Sequence, residues 1–82
     1  GEDRPFHISL TSEALLQISL EGTEELVVNV PADDTKLQRV YVTAPAGTDA
    51  ALMARTDLRL WTEDLTNADR AYTDTVFNGK EQ

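Results

Sequence analysis

The stretch DLRLWTEDL, Asp57 to Leu65, decides how this chain folds. Leu58, Leu60 and Thr62 alternate with Arg59 and Trp61, a period of two. A strand sends successive side chains to opposite faces, whereas a helix aligns residues three and four apart. The stretch is therefore a strand with Leu58, Leu60 and Thr62 turned inward. The same alternation recurs along the chain. RPFHISL sets Phe6, Ile8 and Leu10 against His7 and Ser9, and LQISLEG sets Leu16, Ile18 and Leu20 against Gln17 and Ser19. ELVVNVP repeats the pattern with Leu26, Val28 and Val30. LQRVYVTAP does so with Val40, Val42 and Ala44 opposite Arg39, Tyr41 and Thr43. The final RAYTDTVF is less regular: Ala71, Thr73, Thr75 and Phe77 form one face, Tyr72, Asp74 and Val76 the other.

About six short strands separated by turn chemistry predict an all-β antiparallel sandwich. The turns TSEA, EGTEE, PADDT and LTNADR carry the Ser, Gly, Asn, Asp and Pro that such connections use. Only TDAALMART, Thr48 to Thr56, breaks the period. Asp49 is placed there to cap a single helical turn through Ala50, Ala51, Leu52 and Met53, a crossover between sheets.

With 82 residues the chain has room for one domain, residues 1–82, and no second core. A chain this short buries only about 60–65% of its unfolded surface, so an uncovered edge matters. Fifteen acids against seven bases give a net charge of −8, a field that repels nucleic acid and anionic lipid. Arg55 and Arg59 are the nearest basic pair, and Asp57 stands between them. No apolar run approaches the roughly 20 residues of a membrane span, so this domain is not expected to insert in a bilayer. The absence of cysteine rules out a disulfide framework, a thiolate metal site and a cysteine nucleophile within these residues, and leaves the compartment open. The polar opening GEDRP, without Met, reads as a domain cut from a larger chain.

Candidate chemistry is sparse. His7 is the sole histidine and reads as a solvent-facing strand residue rather than a metal ligand. The carboxylate pairs Glu24–Glu25, Asp33–Asp34 and Glu63–Asp64 fall in expected turns, where acids are well solvated; DLTNADRAYTD lacks the central Gly and the register of a calcium loop. No serine sits in a Gly-x-Ser-x-Gly elbow, and the glycines at 1, 22, 47 and 79 form no phosphate loop. No catalytic, cofactor or metal residue is assigned, and the domain is not read as an enzyme. Trp61, Tyr41 and Tyr72 lie opposite the apolar set on their strands, so their rings are expected to be partly exposed unless a loop, a further strand or a partner covers them. Trp61, Tyr41 and Arg59 are the expected partner-contact surface.

Taken together, RPFHISL, LEG with the Val-rich strand after it, RVYVTAP, DLRLWTEDL and above all RAYTDTVFNGK resemble the C-terminal domain of the FixG/RdxA/CcoG family. The closing Phe77-Asn78-Gly79 is similar to that family's Phe-x-Gly ending. The resemblance implies an immunoglobulin-like sandwich, with one or two further strands before RPF, so this chain is expected to lack an N-terminal edge strand. It also implies a periplasmic location, tethered through upstream membrane segments of the parent. The parent would be an iron–sulfur oxidoreductase serving maturation of cbb-type cytochrome c oxidase, nitrogen fixation and copper handling, with its clusters upstream and none here. Expected partners are oxidase assembly factors or the parent's own membrane domain, and a homodimer through exposed strand edges. Two alternatives stay open: a calcium-dependent adhesion module using the turn acids, and a copper carrier using His7 and carboxylates.

Overall fold

The computed structural model describes residues 3–79. All the expected strands form: β1 (Arg4–Thr11), β2 (Gln17–Leu20), β3 (Val27–Val30), β4 (Val40–Thr43), β5 (Thr56–Asp64) and β6 (Arg70–Phe77). They make two antiparallel sheets, one of four strands in the order β3-β1-β5-β6 and one of two, β2-β4. The chain crosses between the sheets at each of its first connections, and the crossover from β4 back to β5 contains a single helical turn, α1 (Asp49–Leu52). The arrangement is an immunoglobulin-like sandwich, nearly all β, with four strands over two.

The inward residues of both sheets meet in two apolar clusters. Ile8, Leu20 and Val28 form one, with Ile18, Leu26, Val30 and Val40 packed against it. Leu16, Ala50 and Leu58 form the other, flanked by Leu10, Val42, Leu60 and Phe77. Each strand alternates because only one of its faces reaches this interior.

The helical turn forms, but with a different cap. Thr48, not Asp49, occupies the N-cap position. Its hydroxyl donates to the Pro45 carbonyl at 2.6 Å, so it makes no capping bond into α1. Asp49 is instead the first helical residue, in the first turn, where a negative charge is favoured by the positive end of the helix dipole. What holds so short a turn is packing: Ala50 is buried to 1% exposure in the second cluster.

Asp64 departs from its expected role as a solvated turn acid. It is 5% exposed and organises the β5–β6 hairpin. Its Oδ1 accepts from the Thr66 N–H at 2.9 Å, and its backbone carbonyl accepts from Ala68 N–H at 2.7 Å. Its Oδ2 accepts from Arg4 Nη1 at 3.1 Å, tying the hairpin to the start of β1. The Thr66 N–H, more than Arg4, holds the Asp64 carboxyl below the usual carboxylate range. Glu63, its neighbour in sequence, points to the other face of β5.

Gly79 follows the last strand and passes against α1. A Cβ there would collide with the Ala50 carbonyl oxygen and sit 2.7 Å from that of Met53. These are backbone atoms of a packed turn and cannot swing aside. The third position of Phe77-Asn78-Gly79 is thus set by close approach rather than by chain reversal.

Two consequences are measurable. Gly79→Ala is expected to cost about 1–3 kcal/mol in urea unfolding, because an added methyl meets rigid backbone. Asp64→Asn is expected to lower Tm at neutral pH. Because the native pKa is depressed, the stabilisation from ionised Asp64 is fully present above about pH 4 and lost as pH falls through the lowered value. The Tm gap between wild type and Asp64→Asn therefore closes in acid, and a gap independent of pH would contradict this account.

Candidate functional site

The register of the larger sheet assembles the outward-facing residues of β1, β5 and β6 into cross-strand rows. Ser9 stands opposite Trp61 and Trp61 opposite Tyr72; Thr11 stands opposite Arg59 and Arg59 opposite Asp74. His7 stands opposite Glu63, and Glu63 opposite Arg70. Each row is a set of side chains brought within contact range by strand pairing alone.

On this face four side chains interleave. The Arg59 guanidinium carbon lies 3.8 Å from the centre of the Tyr72 ring and 5.7 Å from that of Trp61. The Arg70 guanidinium carbon lies 4.3 Å from the Trp61 ring centre. The two rings are 5.2 Å apart and tilted by 53°. Trp61 Nε1 donates to Thr11 Oγ1 at 3.0 Å, so the indole is satisfied without leaving the surface. Arg59 is fixed from its other side by Asp74, with Nε and Nη2 donating to the two carboxylate oxygens at 2.7 and 3.3 Å. Those hydrogen bonds hold the Asp74 carboxyl below the usual carboxylate range.

Two of the expected contact residues, Trp61 and Arg59, are therefore neighbours. Tyr41 is not with them: it points outward from β4 in the smaller sheet, on the opposite side of the sandwich, where its hydroxyl donates to Glu21 Oε1 at 3.1 Å. Sheet membership separates them, and a strand's own alternation does not reveal which sheet it joins. Tyr72 and Arg70 take the place left by Tyr41. The signal for both was in the sequence: the LTNADR turn pairs the strands on either side of it, which sets Tyr72 beside Trp61. Trp61 is half-buried, and its cover is neither a loop nor a strand but the side chains of its own sheet. Tyr72, at 54% exposure, remains largely open.

The carboxylate pairs do not converge. Glu24–Glu25 and Asp33–Asp34 are exposed in separate turns, and Glu63 and Asp64 face opposite ways along β5. His7 has Glu63 and Val27 as its cross-strand neighbours. Among the described residues no three His, Cys, Asp or Glu side chains are grouped to hold a metal ion, and no helix is long and apolar enough to cross a membrane. The face can stack on planar or aromatic groups and can present guanidinium N–H donors.

The stack makes its own prediction. Tyr72→Ala should remove about 0.5–1.5 kcal/mol of ring–ring stabilisation and raise quenching of Trp61 fluorescence by acrylamide. Tyr72→Phe should leave quenching unchanged, since the ring rather than the hydroxyl covers the indole.

The comparisons with known proteins agree with this architecture. The family described as "IG-like fold at C-terminal of FixG, putative oxidoreductase" matches residues 1–80. Protein RdxB of Cereibacter sphaeroides is 56% identical over 80 residues, which is 98% of this chain and 17% of RdxB. Protein RdxA of the same organism is 47% identical over 64 residues, 78% of this chain and 14% of RdxA. The chain thus spans about a sixth of the length of these relatives. No solved structure gives a significant match. Residue pattern, sandwich architecture and similarity along nearly the whole chain coincide: the chain belongs to the family of immunoglobulin-like domains found at the C-terminus of FixG.

Proposed function

We propose that this domain is a non-catalytic interaction module, held on the periplasmic side of a FixG-type membrane iron–sulfur oxidoreductase that serves maturation of cbb-type cytochrome c oxidase and, through it, nitrogen fixation. The observation that carries the interaction role is the exposed Arg59–Tyr72–Trp61–Arg70 stack, built on the rigid outer face of the larger sheet. Aromatic rings and arginines concentrate binding energy at protein interfaces, because they combine large contact area with fixed polar groups. Here Thr11 holds the Trp61 indole and Asp74 holds the Arg59 guanidinium, which reduces the entropy lost on docking. Family membership supplies the setting, and the relatives' much greater length leaves room for membrane and redox segments elsewhere. A chain without cysteine supplies no thiolate for a cluster, so redox chemistry in such a parent belongs to its other segments. The partner surface would be an oxidase assembly factor or the parent's own membrane portion, with Trp61 and Arg59 in contact as the sequence suggested and Tyr72 in place of Tyr41.

Two measurements in cells test this. Alkaline phosphatase fused after the domain in the full-length parent should be active, and an inactive fusion would place the domain on the other side of the membrane. Trp61→Ala combined with Tyr72→Ala in the full-length parent should lower cbb-type oxidase activity severalfold at unchanged parent abundance. Unchanged oxidase activity would remove the stack from the function.

A further inference from the structure

Strand β6 is an edge strand of unusual openness. It is eight residues long, and Arg70 through Thr75 are exposed on both faces. The inner face is exposed because the smaller sheet is only two strands wide. Thr73 and Thr75 pair with the inward residues Leu60 and Leu58, yet both are exposed, with no second layer over them among the described residues. β6 has no Pro, Gly or Lys to blunt the edge, and its charges are one of each sign, Arg70 and Asp74. The opposite edge, β3, is four residues long and is followed directly by Pro31.

The backbone of β6 narrows which strand can pair with it. The Asp64 N–H donates to the Asp69 carbonyl at 2.8 Å, so Asp69 and, by alternation, residues 71, 73 and 75 turn their backbone groups toward β5. Residues 70, 72, 74 and 76 turn theirs outward. An antiparallel neighbour must place its own outward residues opposite these. For a second copy of β6 the rule admits a two-fold register centred on any residue of the strand, and charge ranks these registers. Centring on Ala71 or Thr73 sets Tyr72 against Arg70 or against Asp74 and forms no ion pair. Centring on Arg70 sets Arg70 against Arg70, and centring on Asp74 sets Asp74 against Asp74; like charges directly opposite are destabilising. Centring on Tyr72 sets Arg70 of each copy against Asp74 of the other, twice. Arg70 makes no ion pair among the described residues, and Asp74, although both its oxygens accept from Arg59, is exposed and keeps a further lone pair on each oxygen for the contact.

We infer that β6 is a self-association edge: two copies join antiparallel through β6, centred on Tyr72, to give one continuous sheet with the order β3-β1-β5-β6-β6-β5-β1-β3. Arg70 and Asp74 exchange backbone hydrogen bonds across the two-fold axis, and so does Tyr72 with its counterpart. On the outer face the aromatic row then runs from Trp61 through both Tyr72 rings to the second Trp61. On the inner face Ala71 meets Thr73, small residues that suit the closely spaced non-hydrogen-bonded pairs. The inference stands apart from the functional reading above, since it concerns the edge of the sheet and a second copy rather than a different protein.

The experiment is a charge exchange on the 82-residue chain, read by sedimentation velocity from micromolar to near-millimolar concentration, with circular dichroism confirming the fold of each variant. Wild type is expected to show a concentration-dependent dimer. Arg70→Glu alone sets a second carboxylate against Asp74, and Asp74→Arg alone sets a second guanidinium against Arg70; each should weaken self-association at least about tenfold. An equimolar mixture of the two variants makes both contacts complementary again and should form a heterodimer at close to wild-type affinity. A wild type that stays monomeric throughout, single variants that dimerise as well as wild type, or a mixture that fails to associate would each overturn the inference.

Discussion

The antiparallel pairing of β1 with β5, from Phe6 opposite Asp64 to Thr11 opposite Arg59, is the constraint on which the rest of the molecule depends. These strands are separated by most of the chain, yet they lie side by side at the centre of the larger sheet. Their register fixes every face at once. It turns Ile8, Leu10, Leu58 and Leu60 toward the smaller sheet and Ser9, Thr11, Arg59 and Trp61 away from it. A slip of one residue would invert both sets, burying two charged or indole groups and exposing the core. β3 then adds to the outside of β1, and β6 to the outside of β5. The Arg4–Asp64 pair bonds the same two strands at their far end and carries the register into the β5–β6 hairpin.

The strands were legible because a sandwich leaves one face of each strand in contact with the interior, and period two records that contact. RPFHISL and DLRLWTEDL announce β1 and β5 almost to the residue. Legibility ends where a residue's role depends on a distant partner. Asp64 looks like any turn acid until Arg4 arrives beside it and Thr66 folds back onto its carboxylate. Tyr41 and Trp61 occupy equivalent outward positions in their own strands, and nothing local distinguishes the sheet each joins. The cap of α1 shows the same limit at shorter range: Thr48 and Asp49 both suit a helix start, and the Pro45 carbonyl decides between them by taking the Thr48 hydroxyl.

The irregular pattern of RAYTDTVF has a physical meaning that only the sheet order reveals. Where other strands show a clean apolar face, β6 carries Ala, Thr and Thr inward, and apolar residues return only at Val76 and Phe77. Of these only Phe77 packs against the second core cluster; the earlier inward residues lie beyond the reach of a two-stranded second layer. Weak alternation is thus the mark of a strand that pairs through its backbone while neither face is covered. Thr is well suited to that position, since its branched side chain favours extended backbone and its hydroxyl tolerates water.

The charge of the domain bears on how such an edge could be used. Each copy carries −8 at neutral pH, so two copies repel over distances up to the screening length of about 8 Å at physiological salt. Association must therefore draw on short-range terms: backbone hydrogen bonds, ring contacts and local charge pairs. The outer face of β5 and β6 is where local charge departs from the average, with Arg70 and Arg59 interleaved between rings and two carboxylates, Asp74 and Glu63, opposite them in the register. A uniformly acidic edge would simply be repelled, and a neutral one would accept several registers. Alternating Arg70, Tyr72 and Asp74 at outward backbone positions does neither, because net repulsion suppresses indiscriminate contacts while one register still brings opposite charges together. The same acidity that repels other polyanions thereby bears on the choice among protein strands.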